Sequence, residues 1–95
     1  MLRVPCRSLK AMWDQEKAVN LGATLRRLRL ERGLSQESLA HQSGITKNQL
    51  QLIEAARASG RRAEASYSNP RMATLIGLAD ALGVTASDIL HGADL

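Results

Sequence analysis

Apolar residues recur at steps of three and four positions along most of the chain, which is the spacing of one face of an α-helix. The clearest runs lie within residues 21–32, 34–54 and 72–90. Strands would need apolar and polar residues to alternate, and such alternation is scarce. The pattern therefore predicts an all-α fold of five helices. They form one domain, because 95 residues allow only one small core.

The sequence indicates the end of the first helix more clearly than its start. Residues 21–32 carry the clear helical pattern. A helical stripe also precedes them, but Asn20 and Gly22 are poor residues for a helix interior, so we expect a break or a bend there. The chain is therefore divided into residues 1–20, an N-terminal arm or an extra helix, and residues 21–95, the main domain.

Capping residues bound the next two predicted helices. Gly33 ends the first helix, and Ser35 is suited to N-cap the second. Gly44 then ends the second helix, in the left-handed conformation that a tight turn requires. Thr46 starts the third helix, and Gln49 three residues later completes a capping box.

Two further helices are predicted after a polar segment. The stretch GRRAEASYSNP, residues 60–70, is rich in Gly, Ser, Asn and Arg, which is typical of a loop. Pro70 suits the first turn of a fourth helix, which Gly83 ends. The fifth helix is expected to start at Thr85 or Ser87.

Two short helices joined through a tight turn have the layout of a helix-turn-helix. The sequence LRRLRLERGLSQESLAHQSGITKNQLQLIE, followed by NPRMATLIGLADALGVTASDIL, resembles the Cro/C1-type (XRE), phage-repressor-like helix-turn-helix family over residues 21–90. The matching positions are Gly33-Leu34-Ser35-Gln36, Leu39-Ala40, Gly44-Ile45-Thr46, Leu50, Ile53-Glu54, Leu78-Ala79 and Leu82-Gly83-Val84.

This resemblance implies a five-helix domain that binds double-stranded DNA sequence-specifically and regulates transcription. Because family operators are palindromic, a homodimer is expected. Repression by occupying a promoter is the simplest mechanism, although the sequence allows activation equally. The dimer surface is expected at Ile89, Leu90 and Leu95, with residues 1–20 as the alternative.

The start of the third helix is predicted to read DNA bases. Lys47 can donate to guanine O6 and N7, and Asn48 can pair with adenine N6 and N7. The resemblance adds Gln51 and Leu52 as positions that face the groove; Leu52 either contacts a thymine methyl group or packs. Thr46 is expected mainly as the cap and is kept as a candidate reader. The alternative for Lys47 and Asn48 is an ordinary solvated helix start.

A second set of residues is predicted to bind DNA phosphates. Gln36 matches a family position that holds a phosphate, beside the free N–H groups of a helix start. The family usually has glycine where this chain has Ala56, so we expect the third helix to continue to about residue 59. Arg57, Arg61 and Arg62 then flank the groove. The alternative is a solvated basic loop.

Arg29 and Glu54 match a pair that in this family forms a partly buried, architectural ion pair between the first and third helices. A catalytic role for Glu54 is the rival hypothesis, but nothing else supports catalysis. His41 and His91 lack the spacing of metal ligands, and no phosphate-binding glycine loop is present. The sequence predicts no enzyme, no metal and no cofactor.

Charge and compartment agree with a DNA-binding protein. The net charge is +4, but residues 1–71 hold all thirteen basic residues and six acidic ones, a net +7, whereas residues 72–95 carry −3. This asymmetry favours a polyanion on one side. A single cysteine excludes an internal disulfide, and no signal peptide or transmembrane stretch is recognisable. We expect a cytoplasmic protein without a membrane partner.

The same fold allows a different function. Antitoxins and some protein-interaction modules are built on it, and fold alone does not determine function. Such a protein would bind a protein partner through an apolar patch away from the basic face.

Overall fold

The computed structural model describes residues 13–57 and 68–95, and these form five helices without a strand. The predicted all-α fold is confirmed. The helices are α1 (Gln15–Glu31), α2 (Gln36–Ser43), α3 (Lys47–Glu54), α4 (Met72–Leu82) and α5 (Ala86–Gly92). Helix α2 packs on α3 and α4, α1 packs on α3 and α5, and α4 packs on α5.

The core between these helices is built from leucine, alanine and isoleucine, and leucine supplies most of its large side chains. Every helix contributes at least one side chain that is fully buried, which is how a chain with only 2% aromatic residues fills its interior. The largest of these side chains are Leu21, Leu25, Leu39, Leu50, Leu78, Leu82 and Ile89.

The burial of Ile89 corrects one expectation about the dimer. Its side chain is fully enclosed in the protein's own core, so it is not available to a partner subunit. Leu90 is half-buried and Leu95 is 41% exposed. The predicted dimer surface is therefore reduced to these two residues.

Helix α1 is continuous, so the predicted break at Asn20 and Gly22 is wrong. The helix starts earlier, at Gln15, after the N-cap Asp14, whose carboxylate accepts a hydrogen bond from the backbone N–H of Lys17 at 3.0 Å. Gly22 lies directly against the end of α3. A Cβ atom there would lie 2.5 Å from the carbonyl oxygen of Ile53, which is closer than packing allows. Glycine is present because two helices approach closely, and not because the helix stops.

Helix α3 is shorter than expected, so its predicted continuation to residue 59 is also wrong. The helix ends at Glu54, and Ala56 takes the left-handed conformation with φ of 62°. The N–H of Arg57 donates to the carbonyl of Leu52 at 2.8 Å, and that of Ala56 donates to the carbonyl of Ile53 at 3.1 Å. These two bonds form the Schellman arrangement that usually has glycine at this position.

The other helix boundaries follow local signals. Gly33, Gly44 and Gly83 follow the ends of α1, α2 and α4, all with positive φ, as predicted. Helix α4 is an exception: it starts at Met72 after the N-cap Arg71, so Pro70 lies outside the helix and not in its first turn as expected, and Arg71 makes no side-chain capping bond.

The start of α5 settles the alternative between Thr85 and Ser87. Thr85 caps the helix, and its hydroxyl accepts the backbone N–H of Asp88. The backbone N–H of Thr85 in turn donates to the Asp88 carboxylate. The hydrogen bonds that this carboxylate receives from Thr85, above all the one from its backbone N–H, lower the pKa of Asp88 below its usual range.

Candidate nucleic-acid interface

Helices α2 and α3 form a helix-turn-helix around Gly44. The left-handed conformation of Gly44, with φ of 80°, lets the chain reverse immediately after α2. Leu39 and Ala40 of α2 and Leu50 and Ile53 of α3 are buried in the same apolar cluster. The second helix is therefore held at a fixed angle to the first, with its other side directed outwards.

The outward side of α3 carries the polar residues singled out from the sequence. Lys47, Asn48 and Gln51 are exposed, and Leu52 is half-buried. Because each helical residue advances by about 100°, these four positions span only about 140° of the helix circumference. We call this surface the reading face. Leu52 is half-buried, which agrees with a packing role, and the exposed part of its side chain belongs to the reading face.

The hydroxyl and the backbone N–H of Thr46 both form the hydrogen bonds of a helix cap. Its hydroxyl accepts the backbone N–H of Gln49 at 3.0 Å, and its own N–H donates to Oε1 of Gln49 at the same distance. Thr46 therefore fixes the start of α3, and its side chain is exposed at the edge of the reading face.

Glu54 of α3 accepts hydrogen bonds from both α1 and α2, and so links the first three helices. Nε of Arg29 donates to Oε2 of Glu54 at 2.7 Å, and Nη2 donates to Oε1 at 3.1 Å. Arg29 also donates through Nη1 to the carbonyl of Leu34 at 2.9 Å. The two charged side chains are only 10% and 5% exposed, so their charges balance each other away from water. This bidentate pair sets the position of α3 on α1.

Gln36 belongs to the same network. At the first residue of α2, its Nε2 donates to Oε1 of Glu54 at 2.9 Å. One amide hydrogen is thus committed to the protein, and the other remains for an external acceptor. The neighbouring start of α2 is capped by Ser35, whose hydroxyl accepts the N–H of Ser38.

The predicted phosphate-binding arginines are only partly described. Arg57 is exposed immediately after the turn that ends α3, whereas Arg61 and Arg62 lie outside the described residues. Two further arginines border clefts beside the reading face, Arg26 in α1 and Arg71 at the start of α4. Their position could not be read from the sequence, because each cleft is formed by residues from separate segments of the chain.

Other kinds of site find little support. Within residues 13–57 and 68–95 there is no group of three His, Cys, Asp or Glu side chains that could hold a metal ion. No single helix of the described part is long and apolar enough to cross a membrane. Only α4 and α5 taken together have the length and composition, and a bend of 94° separates them.

The fold and this surface define a class of protein, a helix-turn-helix DNA-binding domain. A family model described as a helix-turn-helix domain matches residues 20–91, so the chain belongs to this helix-turn-helix family. The resemblance to Cro/C1-type regulators is thereby confirmed. The chain is a DNA-binding transcriptional regulator of this family, whose members are generally not enzymes.

Individual relatives support the same assignment. An uncharacterised HTH-type transcriptional regulator, y4dJ of Sinorhizobium fredii, is 37% identical over 81 residues, which cover 85% of this chain and 90% of the relative. Among solved structures, the clp gene regulator ClgR of Corynebacterium glutamicum has a TM-score of 0.69 at 26% identity, covering 82% of this chain and 72% of ClgR. The restriction-modification controller protein C.AhdI of Aeromonas hydrophila has a TM-score of 0.62 at 30% identity, covering 76% and 94%.

Proposed function

We propose that this regulator recognises a specific operator by inserting α3 into the major groove of double-stranded DNA. The observation that carries the proposal is the reading face, a cluster of exposed polar side chains on a short helix that is held rigidly by the core. A major groove about 12 Å wide accommodates one α-helix. Residues near the start of that helix reach the base edges.

Each residue of the reading face has a proposed role. Lys47 donates to guanine, and Asn48 makes a bidentate contact with adenine. Gln51 contacts a base or phosphate further along the groove. Leu52 contributes at most a methyl contact, and Thr46 acts mainly by fixing the start of the helix.

Phosphate contacts position the reading face and account for the basic charge of the chain. Gln36 supplies its second amide hydrogen to a backbone phosphate, and the neighbouring N–H groups of α2 favour the negative charge. Arg57, Arg61 and Arg62 are proposed to bind phosphates beyond the end of α3. Contacts of this kind hold the protein in register and carry no sequence information directly.

We infer further that the protein acts in the cytoplasm as a homodimer on a palindromic operator. One small domain makes few base contacts, and two recognition helices about 34 Å apart would double them. Repression by covering a promoter is the simplest consequence of such binding. Leu90 and Leu95 are the proposed dimer contacts that remain accessible.

The test is an in vitro selection from random duplexes with purified protein, repeated at two salt concentrations. Enrichment of a two-fold symmetric site that persists at the higher salt would support the proposal. Binding without a sequence motif that is lost at the higher salt would contradict it, because non-specific binding depends almost entirely on phosphate neutralisation.

A protein-binding role is the second candidate, favoured by exposed apolar side chains on α1. Val19 is 47% exposed and Leu30 is 56% exposed, both on α1. An antitoxin or interaction module would use such a patch. Failure of the selection together with a tight complex between the purified protein and a co-expressed partner would favour this alternative.

A further inference from the structure

Helix α1 carries an apolar stripe on the side that faces away from the core. With about 100° per residue, Val19, Ala23 and Leu30 lie within about 40° of one another around the helix. The buried Leu21 and Leu25 lie on the opposite side. All three residues of the stripe are exposed. We call this surface the α1 stripe.

The spacing of the α1 stripe is that of a helix–helix contact. Positions 16, 19, 23, 26 and 30 follow one another at alternating steps of three and four residues, which is the seam along which two helices pack side by side. A shallow depression of about 480 Å³ lies on this seam and is lined by Ala23, Arg26, Arg27, Leu30 and Glu31. Helix α1 packs on α3 and α5, while the stripe stays exposed and is available to a further helix.

The seam has an acidic end and a basic end. Glu16 lies in the first turn of α1, whereas Arg26 and Arg27 lie beyond Ala23, and all three charged residues are exposed. Glu16 and Arg26 make no hydrogen bond or ion pair within the described residues. Arg27 pairs with Glu31 at 3.3 Å. The uncompensated charges at the two ends are therefore of opposite sign.

We propose that the α1 stripe binds the same stripe of a second copy of the chain, with the two α1 helices antiparallel. In a two-fold contact, every pair of facing residues occurs twice. When Val19 of one copy lies opposite Ala23 of the other, Glu16 is level with Arg26 and only about 1.5 Å along the axis from Arg27. Opposite charges then meet at both ends of the contact.

The charges also exclude the parallel arrangement of the two helices. In parallel helices in register, each residue faces its own counterpart, so Glu16 would face Glu16 and Arg26 would face Arg26. Like charges at such short range are unfavourable. In the antiparallel arrangement the two copies of Arg26 are about ten residues apart along the axis, which is about 15 Å. The charge pattern therefore favours a second copy in one orientation.

This contact is an addition to the homodimer that is proposed to form through Leu90 and Leu95. Those two residues belong to α5 and the C-terminal end, whereas the stripe belongs to α1. A chain with two separate self-contacts assembles into pairs of dimers, and linked dimers occupy neighbouring DNA sites together more readily than single ones. The α1 contact itself does not rest on the proposed DNA binding.

The first experiment is analytical ultracentrifugation of the full chain without DNA, over a range of concentrations. The wild type should associate as its concentration rises. Glu16→Arg reverses the acidic end and Arg26→Glu/Arg27→Glu reverses the basic end, so each variant alone should associate more weakly, by on the order of tenfold. An equimolar mixture of the two variants should associate as strongly as wild type, because opposite charges again face each other at both ends.

Glu37→Arg is the matched control for Glu16→Arg. Glu37 is the exposed acidic residue in the first turn of α2, so its reversal changes the net charge and a helix start in the same way. It should associate like wild type. Thermal unfolding by circular dichroism should give similar midpoints for the two variants. Loss of the α1 contact should halve the largest mass, from four chains to two where the C-terminal contact also forms, and from two to one where it does not.

Disulfide cross-linking tests the orientation of the two helices. The one cysteine of the chain is first replaced by Cys6→Ser. A mixture of Val19→Cys and Ala23→Cys copies should then form a linked pair on oxidation. Each variant alone should cross-link much more slowly, because a disulfide needs Cα atoms within about 7 Å. Faster cross-linking of either variant alone would indicate parallel helices and would overturn the contact as proposed.

Two further results would overturn the α1 contact. One is a wild type that stays monomeric at every concentration, and the other is a mixture that associates no better than its two components. The exposed apolar residues of α1 would then be left to a different protein, as in the second candidate function. Neither result bears on operator recognition, which the selection from random duplexes tests separately.

Discussion

The inner and outer sides of α3 differ in what their side chains contact. On the inner side, Leu50 and Ile53 are buried and Glu54 is held by Arg29 and Gln36. On the outer side, Lys47 and Asn48 are exposed, and their side chains make no hydrogen bond or ion pair within the described residues. The inner side determines where the helix lies. The outer side is free to differ without affecting the fold.

This division has a consequence for function. A side chain that reads DNA must be positioned to within a fraction of an ångström, yet it must leave its polar groups unpaired until DNA arrives. An eight-residue helix is too short to be stable alone. Its position must therefore come from the inner side. Substitutions on the inner side should change stability, and those on the outer side should change only binding.

The largest effect is expected at the centre of the inner side. Glu54→Ala removes the partner of Arg29 and leaves its buried charge uncompensated, so it should lower the free energy of unfolding by about 3–5 kcal/mol. Urea denaturation measures this change. Glu31→Ala is the control, since its ion pair with Arg27 is exposed and should contribute less than about 1 kcal/mol. Equal losses for the two variants would mean that the inner network does not hold α3.

Gly22→Ala should weaken the same contact from the α1 side. The added methyl group would meet the carbonyl oxygens of Ile53 and Glu54 at 2.5 and 2.8 Å, so α3 must shift away. Alanine favours helix over glycine, but overpacking against backbone costs about 1–3 kcal/mol. We expect a net loss of stability in urea denaturation, with weaker DNA binding. An increase in stability would show that the approach of α1 and α3 is looser than described.

These two positions also show what could and could not be predicted from the sequence. Glu54 was identified because the family resemblance places an ion-pair partner there. The reason for Gly22 is a contact with residues more than thirty positions away, and the local rule that glycine interrupts helices gave the wrong answer. Caps such as Ser35 and Thr46 were predicted correctly because the capping bond joins residues only three apart.

The clefts illustrate the same limit for the candidate site. The reading face lies within six consecutive residues, so helical spacing alone predicts that its side chains share a surface. Arg26 and Arg71 become neighbours of that surface only when α1 and α4 pack around it. No local pattern distinguishes them from the other exposed arginines of the chain.

On the outer side, Asn48→Ala should change binding without changing stability. Loss of a bidentate contact should reduce discrimination at one base pair by about 1–3 kcal/mol. Competition binding with the selected site and its single-base variants measures this loss. Urea denaturation should give an unchanged free energy of unfolding, because the side chain is exposed. Equal weakening on specific and random duplexes would argue against base reading by Asn48.

The smallest effect concerns the end of α3, where Ala56 and Ala55 provide opposite tests within two residues. Ala56 has φ of 62°, whereas Ala55 is right-handed with φ of −87°. Glycine removes the steric cost of a left-handed alanine, so Ala56→Gly should raise the free energy of unfolding by about 0.5–1 kcal/mol. At Ala55 there is no such cost to relieve, and the greater freedom of glycine in the unfolded chain should lower stability by a similar amount. Thermal unfolding of the two variants measures both. Opposite signs would show that hydrogen bonds at the end of α3 hold Ala56 in its left-handed conformation. A loss of stability in both variants would mean that the methyl group of Ala56 stabilises the fold by packing more than its strain destabilises it. Ala56 is only 8% exposed.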